Sequence, residues 1–114
     1  MIKSLVVDFD DTLSFATNRD WDNALPNLPL IEQLNLLYNK GCTIHIVTAR
    51  GQLSCHGDIE LADKKNRQQI ETWLNRYGVL YTDLSFQKKY ADYYIDDKAI
   101  KPEQFIEMMQ RNEQ

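Results

Sequence analysis

Leu5-Val6-Val7-Asp8-Phe9-Asp10-Asp11-Thr12-Leu13 decides how this chain is read. Ahead of the acidic residues, from Met1 to Val7, Ile2, Leu5, Val6 and Val7 make a short apolar segment without helical spacing. That is the pattern of a buried strand near the centre of a parallel sheet. Three carboxylates then arrive within four residues, where the apolar run stops. Open α/β sheets keep their sites just beyond the carboxyl ends of such strands. Asp8 and Asp10 are two apart, so in extended chain their side chains fall on one side of the backbone. Two carboxylates about 4 Å apart repel by roughly 4 kcal/mol at an effective dielectric near 20, and something must offset that. A divalent cation does so most simply, and Mg²⁺ prefers carboxylate and water oxygens. A solvated Asp-rich turn is the plainer alternative, because Asp favours turns and caps. What separates the two lies downstream: Thr48 after a second apolar strand, Lys88, and Asp96-Asp97 after a further one.

The chain has 114 residues, enough for a single domain (1–114) with one core. Its 43% apolar and 26% charged residues are those of an ordinary globular protein. A net charge of −4 without clustered basic residues argues against a nucleic-acid face. No stretch approaches the ~20 apolar residues that cross a bilayer, so no membrane partner is expected. Met1-Ile2-Lys3 runs straight into the first strand, which leaves no room for a cleavable signal, and the cytoplasm is the expected location. Cys42 begins an apolar strand and reads as a small core residue. Cys55 has His56 beside it but no second Cys or His at zinc spacing.

Pro29 to Lys40 reads as a helix, with Leu30, Ile31, Leu34, Leu37 and Tyr38 repeating at three and four. Pro29 suits its first turn and Gly41 the position after its last. Cys42 to Val47 is a second buried strand, and His45 within it reads as a hydrogen-bonded core residue. Thr48-Ala49-Arg50-Gly51 leaves that strand at its carboxyl end, and residues 51–58 form a loop bounded by glycines. Loops on a rigid scaffold are where selectivity residues gather, so Arg50 and His56 are candidates to bind an anionic or hydroxyl-rich leaving group. For His56, plain exposure is the alternative. A helix from Ile59 to Tyr77 carries Ile70, Trp73, Leu74 and Tyr77 inward, and Val79 to Leu84 is a third strand. Only eight residues then precede Tyr93-Tyr94-Ile95, the expected fourth strand. A parallel crossover normally takes a dozen residues or more, so one covering helix is missing. This short crossing is expected to carry Lys88 over the carboxyl edge of the sheet, with Tyr90, Tyr93 and Tyr94 flanking the gap. The last helix, or a second subunit in a homodimer, is expected to fill the missing cover. Pro102 to Arg111 is the final helix.

Those four stretches, in that order, resemble the haloacid-dehalogenase-like (HAD) phosphatases. The first motif of that family is Asp-x-Asp-x-Thr, here Asp8-Phe9-Asp10-Asp11-Thr12. The second is a Ser or Thr ending the next strand, here Thr48. The third is a Lys, here Lys88, and the fourth an acidic pair, here Asp96-Asp97. Thr-Ala-Arg (48–50) and Tyr-Ile-Asp-Asp-Lys-Ala (94–99) look most like the small phosphatases of capsule-polysaccharide biosynthesis. The chain departs from that subgroup at Gln87-Lys88-Lys89, where Lys-Pro is usual, and at Asp11, where Gly is frequent. Without the resemblance, nothing distinguishes Lys88 from Lys89. The resemblance implies an α/β fold: a three-layer, Rossmann-like parallel sheet of about four strands, order 3-2-1-4, with helices on both faces and no cap domain. It also implies that residues 14–28 form a tight turn and a small β flap, from which Arg19 and Trp21 reach toward a substrate. The alternatives are a solvated Arg19 and a Trp21 that anchors the flap to the core.

The implied reaction is hydrolysis of a phosphate monoester, on a sugar or other small phosphorylated metabolite. Asp8 is the expected nucleophile and Asp10 the general acid and base. The dehalogenases of the family lack an acid at the second position, because halide leaves without a proton. Mg²⁺ is expected on Asp8, the Asp10 carbonyl and Asp96, with Asp97 supporting it or exchanging roles with Asp96. Thr48 is expected to offer its hydroxyl, and Lys88 its charge, to the phosphoryl oxygens. Thr12 is expected to fix the loop and Asp11 to cap it. Two other functions fit similar residues: a phosphoacceptor signalling domain, and a catalytically idle binder of sugar phosphates. In signalling domains the acidic pair comes on the first strand, so the order here favours the phosphatase.

Overall fold

Strand β1 (Ser4–Asp8) pairs in parallel with β4 (Thr43–Val47), which pairs in parallel with β5 (Asp83–Ser85). The sheet therefore has three strands in the order β1-β4-β5. The structure is a computed structural model that describes residues 2–112; Met1, expected at the head of the first strand, lies outside them. Along β1 and β4 the register sets Leu5 beside Ile44 and Val7 beside Ile46, and Leu84 of β5 falls beside Ile46. Val7, Ile44, Ile46 and Leu84 are buried, so this face of the sheet carries the core.

Two helices cover that face. Helix α1 (Leu28–Asn39) buries Leu30, Ile31, Leu34 and Leu37. Its N-cap is Asn27, whose side chain accepts from the Leu30 amide at 3.4 Å. Helix α2 (Ile59–Arg76) buries Ala62, Ile70, Trp73 and Leu74, and is capped by Asp58 on the Leu61 amide at 3.1 Å. Parallel crossovers are right-handed, and both crossovers here step the same way across the sheet, so both helices land on one side. Asn35 of α1 locks the two together. Its amide donates to the Gly78 carbonyl and its oxygen accepts from the Leu80 amide, both at 2.9 Å. Helix α3 (Pro102–Asn112) lies against α1 and buries Phe105.

Between β1 and α1 the chain makes a flap from β2 (Ser14–Phe15) and β3 (Leu25–Pro26), antiparallel, with a 3-10 turn at Trp21–Asn23. The indole of Trp73 in α2 donates to the Ala24 carbonyl at 3.0 Å and holds the flap down.

Three expectations are corrected. Tyr93-Tyr94-Ile95 forms no strand: Tyr93 is 85% and Ile95 99% exposed, and the sheet has three strands rather than four in the order 3-2-1-4. The cause is an anchor upstream. The Gln52 amide donates to the carbonyls of Phe86 (3.1 Å) and Lys88, and its oxygen accepts from the Tyr90 amide at 3.1 Å. The crossing segment is thereby pinned at the sheet's carboxyl edge instead of travelling to the free edge of β1. Helices do not cover both faces either. In the row Val6, His45, Asp83, Val6 is 71% exposed and His45 meets Asp83 at 2.8 Å on a partly open surface. Finally, the third strand begins at Asp83 rather than Val79. Thr82 still holds to β4 at Ile44, its amide donating to the Ile44 carbonyl at 2.8 Å and its hydroxyl accepting from the Ile44 amide at 3.0 Å.

Candidate active site

Asp8 is the last residue of β1, and the chain turns sharply behind it. The amides of Leu13 and Ser14 both donate to the Phe9 carbonyl, at 3.0 and 3.2 Å, around Asp11 in the left-handed region (φ 63°). Asp can hold that conformation at modest cost. Phe9 is buried beneath the turn, which leaves Asp8, Asp10 and Asp11 on the upper side. They line a cavity of about 390 Å³, with Lys88, Arg19 and Trp21 among its other walls.

Each of the first two carboxylates has its own partners. The Lys88 ammonium lies 3.1 Å from Asp8 Oδ1, and the Thr12 hydroxyl donates to Asp8 Oδ2 at 3.3 Å. Thr12 thus does what the sequence suggested. Burial pushes the Asp8 carboxyl above the ordinary aspartate range, while the Lys88 ammonium and the Thr12 hydroxyl pull it back and Asp10 adds to the rise. Lys88 also stands 4.0 Å from the centre of the Tyr94 ring, a cation–π contact that fixes its reach. Lys88, not its exposed neighbour Lys89, reaches the cavity.

Asp10 is held by Arg50. Nη2 meets Oδ1 at 2.5 Å, and Nε donates to Oδ2 at 3.3 Å. The Thr48 hydroxyl also donates to Oδ2 at 3.3 Å, while accepting from the Arg50 amide at 3.0 Å. Thr48 is fully buried and supports Asp10 from behind; it does not present its hydroxyl to the cavity. Gly51 (φ 85°) keeps the next step tight: a Cβ there would come within 2.5 Å of the Asn66 amide nitrogen.

Of the expected site residues, Asp8, Asp10, Arg19, Arg50 and Lys88 line one cavity, and Tyr90 and Tyr94 join them. His56 is exposed and lines no part of it. Asp96 and Asp97 also stay away, on an exposed turn where Asp96 Oδ1 accepts from the Lys98 amide at 2.8 Å. Among the described residues no group of three or more His, Cys, Asp or Glu side chains comes together as a metal site. The cavity therefore does not hold the four-carboxylate set expected for Mg²⁺, and of its three carboxylates Asp8 and Asp10 are balanced by the chain's own donors. Sequence reading missed Gln52 and the buried pairing of Arg50. Gln52 sits in a loop without periodicity, and nothing in the sequence marks it. Arg50 was visible as a cation just past a strand end, but its partner was not.

No protein-family model matches the chain, and no curated protein does. Among solved structures, the chain is 32% identical to a target protein from Vibrio cholerae known from its crystal structure, over 99% of this chain and 100% of that one, with a TM-score of 0.86. It is also 25% identical to a chain from the structure of a Pnkp1/Rnl/Hen1 complex, over 93% of this chain but 34% of that one, with a TM-score of 0.55. Among the described residues no helix is long and apolar enough to cross a membrane.

Proposed function

We propose that this chain, which belongs to the family of the Vibrio cholerae protein, is a phosphate monoester hydrolase that works through an aspartyl-phosphate on Asp8. The observation that carries the reading is Lys88 Nζ at 3.1 Å from Asp8 Oδ1, in a cavity that Asp10 also lines. A nucleophile, a second carboxylate and a fixed cation around one opening are the parts phosphoryl transfer needs. In this reading the domain is a capless HAD-like phosphatase of the cytoplasm, and the short flap stands where a cap domain would be inserted.

The phosphoryl group would enter beside Lys88, whose charge offsets that of the phosphoryl oxygens. An Asp8 carboxylate oxygen attacks phosphorus, the ester P–O bond breaks, and Asp10 gives its proton to the departing oxygen. Water then attacks the aspartyl-phosphate while Asp10 takes back a proton. Phosphate leaves and the Asp8 carboxylate is restored. The open cavity suits a sugar or other small phosphorylated metabolite. Mg²⁺ remains part of the proposal on the strength of the resemblance, but Asp96 and Asp97 lie outside the cavity as described, so no step here is routed through it.

Release of p-nitrophenol from p-nitrophenyl phosphate, with and without Mg²⁺, tests the reading. Turnover by the wild type that Asp8→Asn abolishes and Asp10→Asn slows is the expected result. Stoichiometric phosphorylation without turnover would favour the signalling domain, and no reaction at all the idle binder.

A further inference from the structure

Arg50 was expected to meet the substrate, yet its donors are already committed. Its side chain is only 6% exposed, and a guanidinium taken that far out of water costs several kcal/mol unless its geometry is well satisfied. Here it is. The Nε and Nη2 fork spans both oxygens of Asp10, and Nη1 donates to Gln69 Oε1 at 3.2 Å. The Gln69 amide passes the connection to Asp22 Oδ1 at 3.1 Å, in the turn of the flap. The Trp21 ring lies 4.2 Å from the guanidinium carbon and the Phe9 ring 5.2 Å from it. Asp10 is thus clamped from behind while its carboxylate still borders the cavity beside Asp8.

We propose that Arg50 is the positioning residue for proton transfer at Asp10, and that Trp21 and Asp22 of the flap hold it in place. This rests on the phosphatase reading. A two-point fork fixes the plane of a carboxylate, which a single point charge does not. Proton transfer to a departing oxygen depends on that direction, so the fork acts on kcat through Asp10 rather than on substrate affinity. The flap then contributes to the chemistry through Arg50.

The test compares two esters. p-Nitrophenyl phosphate has a leaving group that departs with little help from a proton, whereas glycerol phosphate releases an alkoxide that needs one. Arg50→Lys keeps the charge and loses the fork. We expect kcat on glycerol phosphate to fall about 100-fold, and on p-nitrophenyl phosphate by less than about 10-fold. KM should stay within about threefold on both. The double variant with Asp10→Asn should be no slower than Asp10→Asn alone, because both act at one proton. Trp21→Leu, which leaves the fork's atoms in place, should show the same ester-selective loss on a smaller scale and covers the case of a poorly folded Arg50→Lys. Equal losses on both esters, a change in KM alone, or additive losses in the double variant would overturn the proposal while the phosphatase reading stands. A wild type that hydrolyses neither ester would overturn the reading, and this inference with it.

Discussion

Asp8 sits under opposing influences, with burial raising its pKa and Lys88 and Thr12 lowering it, and the balance lies above the ordinary aspartate range. In the proposed reaction the nucleophile must be ionised, so the acid limb of kcat/KM should fall at a higher pH than a solvent-exposed aspartate would give; a limb at or below the ordinary aspartate value would contradict this. Stability carries the same sign. Because folding raises this pKa, the contribution of Asp8 is fully present below the unfolded value and is lost as pH rises through the folded one. Unfolding curves of Asp8→Asn and wild type should therefore diverge in favour of the variant as pH rises through that window. At this scale Asp8 and Asp10 were legible because their spacing placed them on one side of an extended chain. Arg50 was half legible. Its charge is in the sequence, but which carboxylate it faces depends on a turn 40 residues away.

At the scale of elements, α1 and α2 follow from local signals, whereas the flap was implied only by the family resemblance. Asn27 and Asp58 begin the helices, and Gly41 and Gly78 follow them at positive φ. The crossing after β5 does not follow, because its path is set by Gln52, whose three hydrogen bonds hold the backbone from Phe86 to Tyr90. Gln52→Ala should cost about 1–3 kcal/mol in urea unfolding. It should also weaken binding of inorganic phosphate about 10-fold by freeing Lys88; unchanged phosphate affinity would separate Gln52 from the site. The turn bearing Asp96 and Asp97 gives a second prediction. If Mg²⁺ serves the reaction, that turn must come to Asp8, so adding Mg²⁺ should slow amide exchange across residues 93–98. Mg²⁺-stimulated turnover with unchanged exchange there would show that those carboxylates take no part.

For the whole molecule, the order β1-β4-β5 places both crossover helices on one side, and the core is the single layer they share with the sheet. Ile46, in the central strand between Val7 and Leu84, has no exposed surface. Ile46→Ala should cost about 2–5 kcal/mol, a large part of the roughly 5–15 kcal/mol that holds such a domain folded. A loss below about 1 kcal/mol would mean that the core lies elsewhere. The parallel α/β character was legible from apolar runs broken by helical spacing. The open face was not, because Tyr93-Tyr94-Ile95 has a strand's composition yet stays exposed and unpaired.

The central claim is that Asp8 is transiently phosphorylated. The most direct measurement is to acid-quench the protein during incubation with p-nitrophenyl phosphate and map the phosphoryl group by peptide mass spectrometry. The account predicts an acid-stable, base-labile phosphoryl group on the peptide containing Asp8, absent in Asp8→Asn. Turnover with that peptide unmodified, or with the group on another residue, would contradict it.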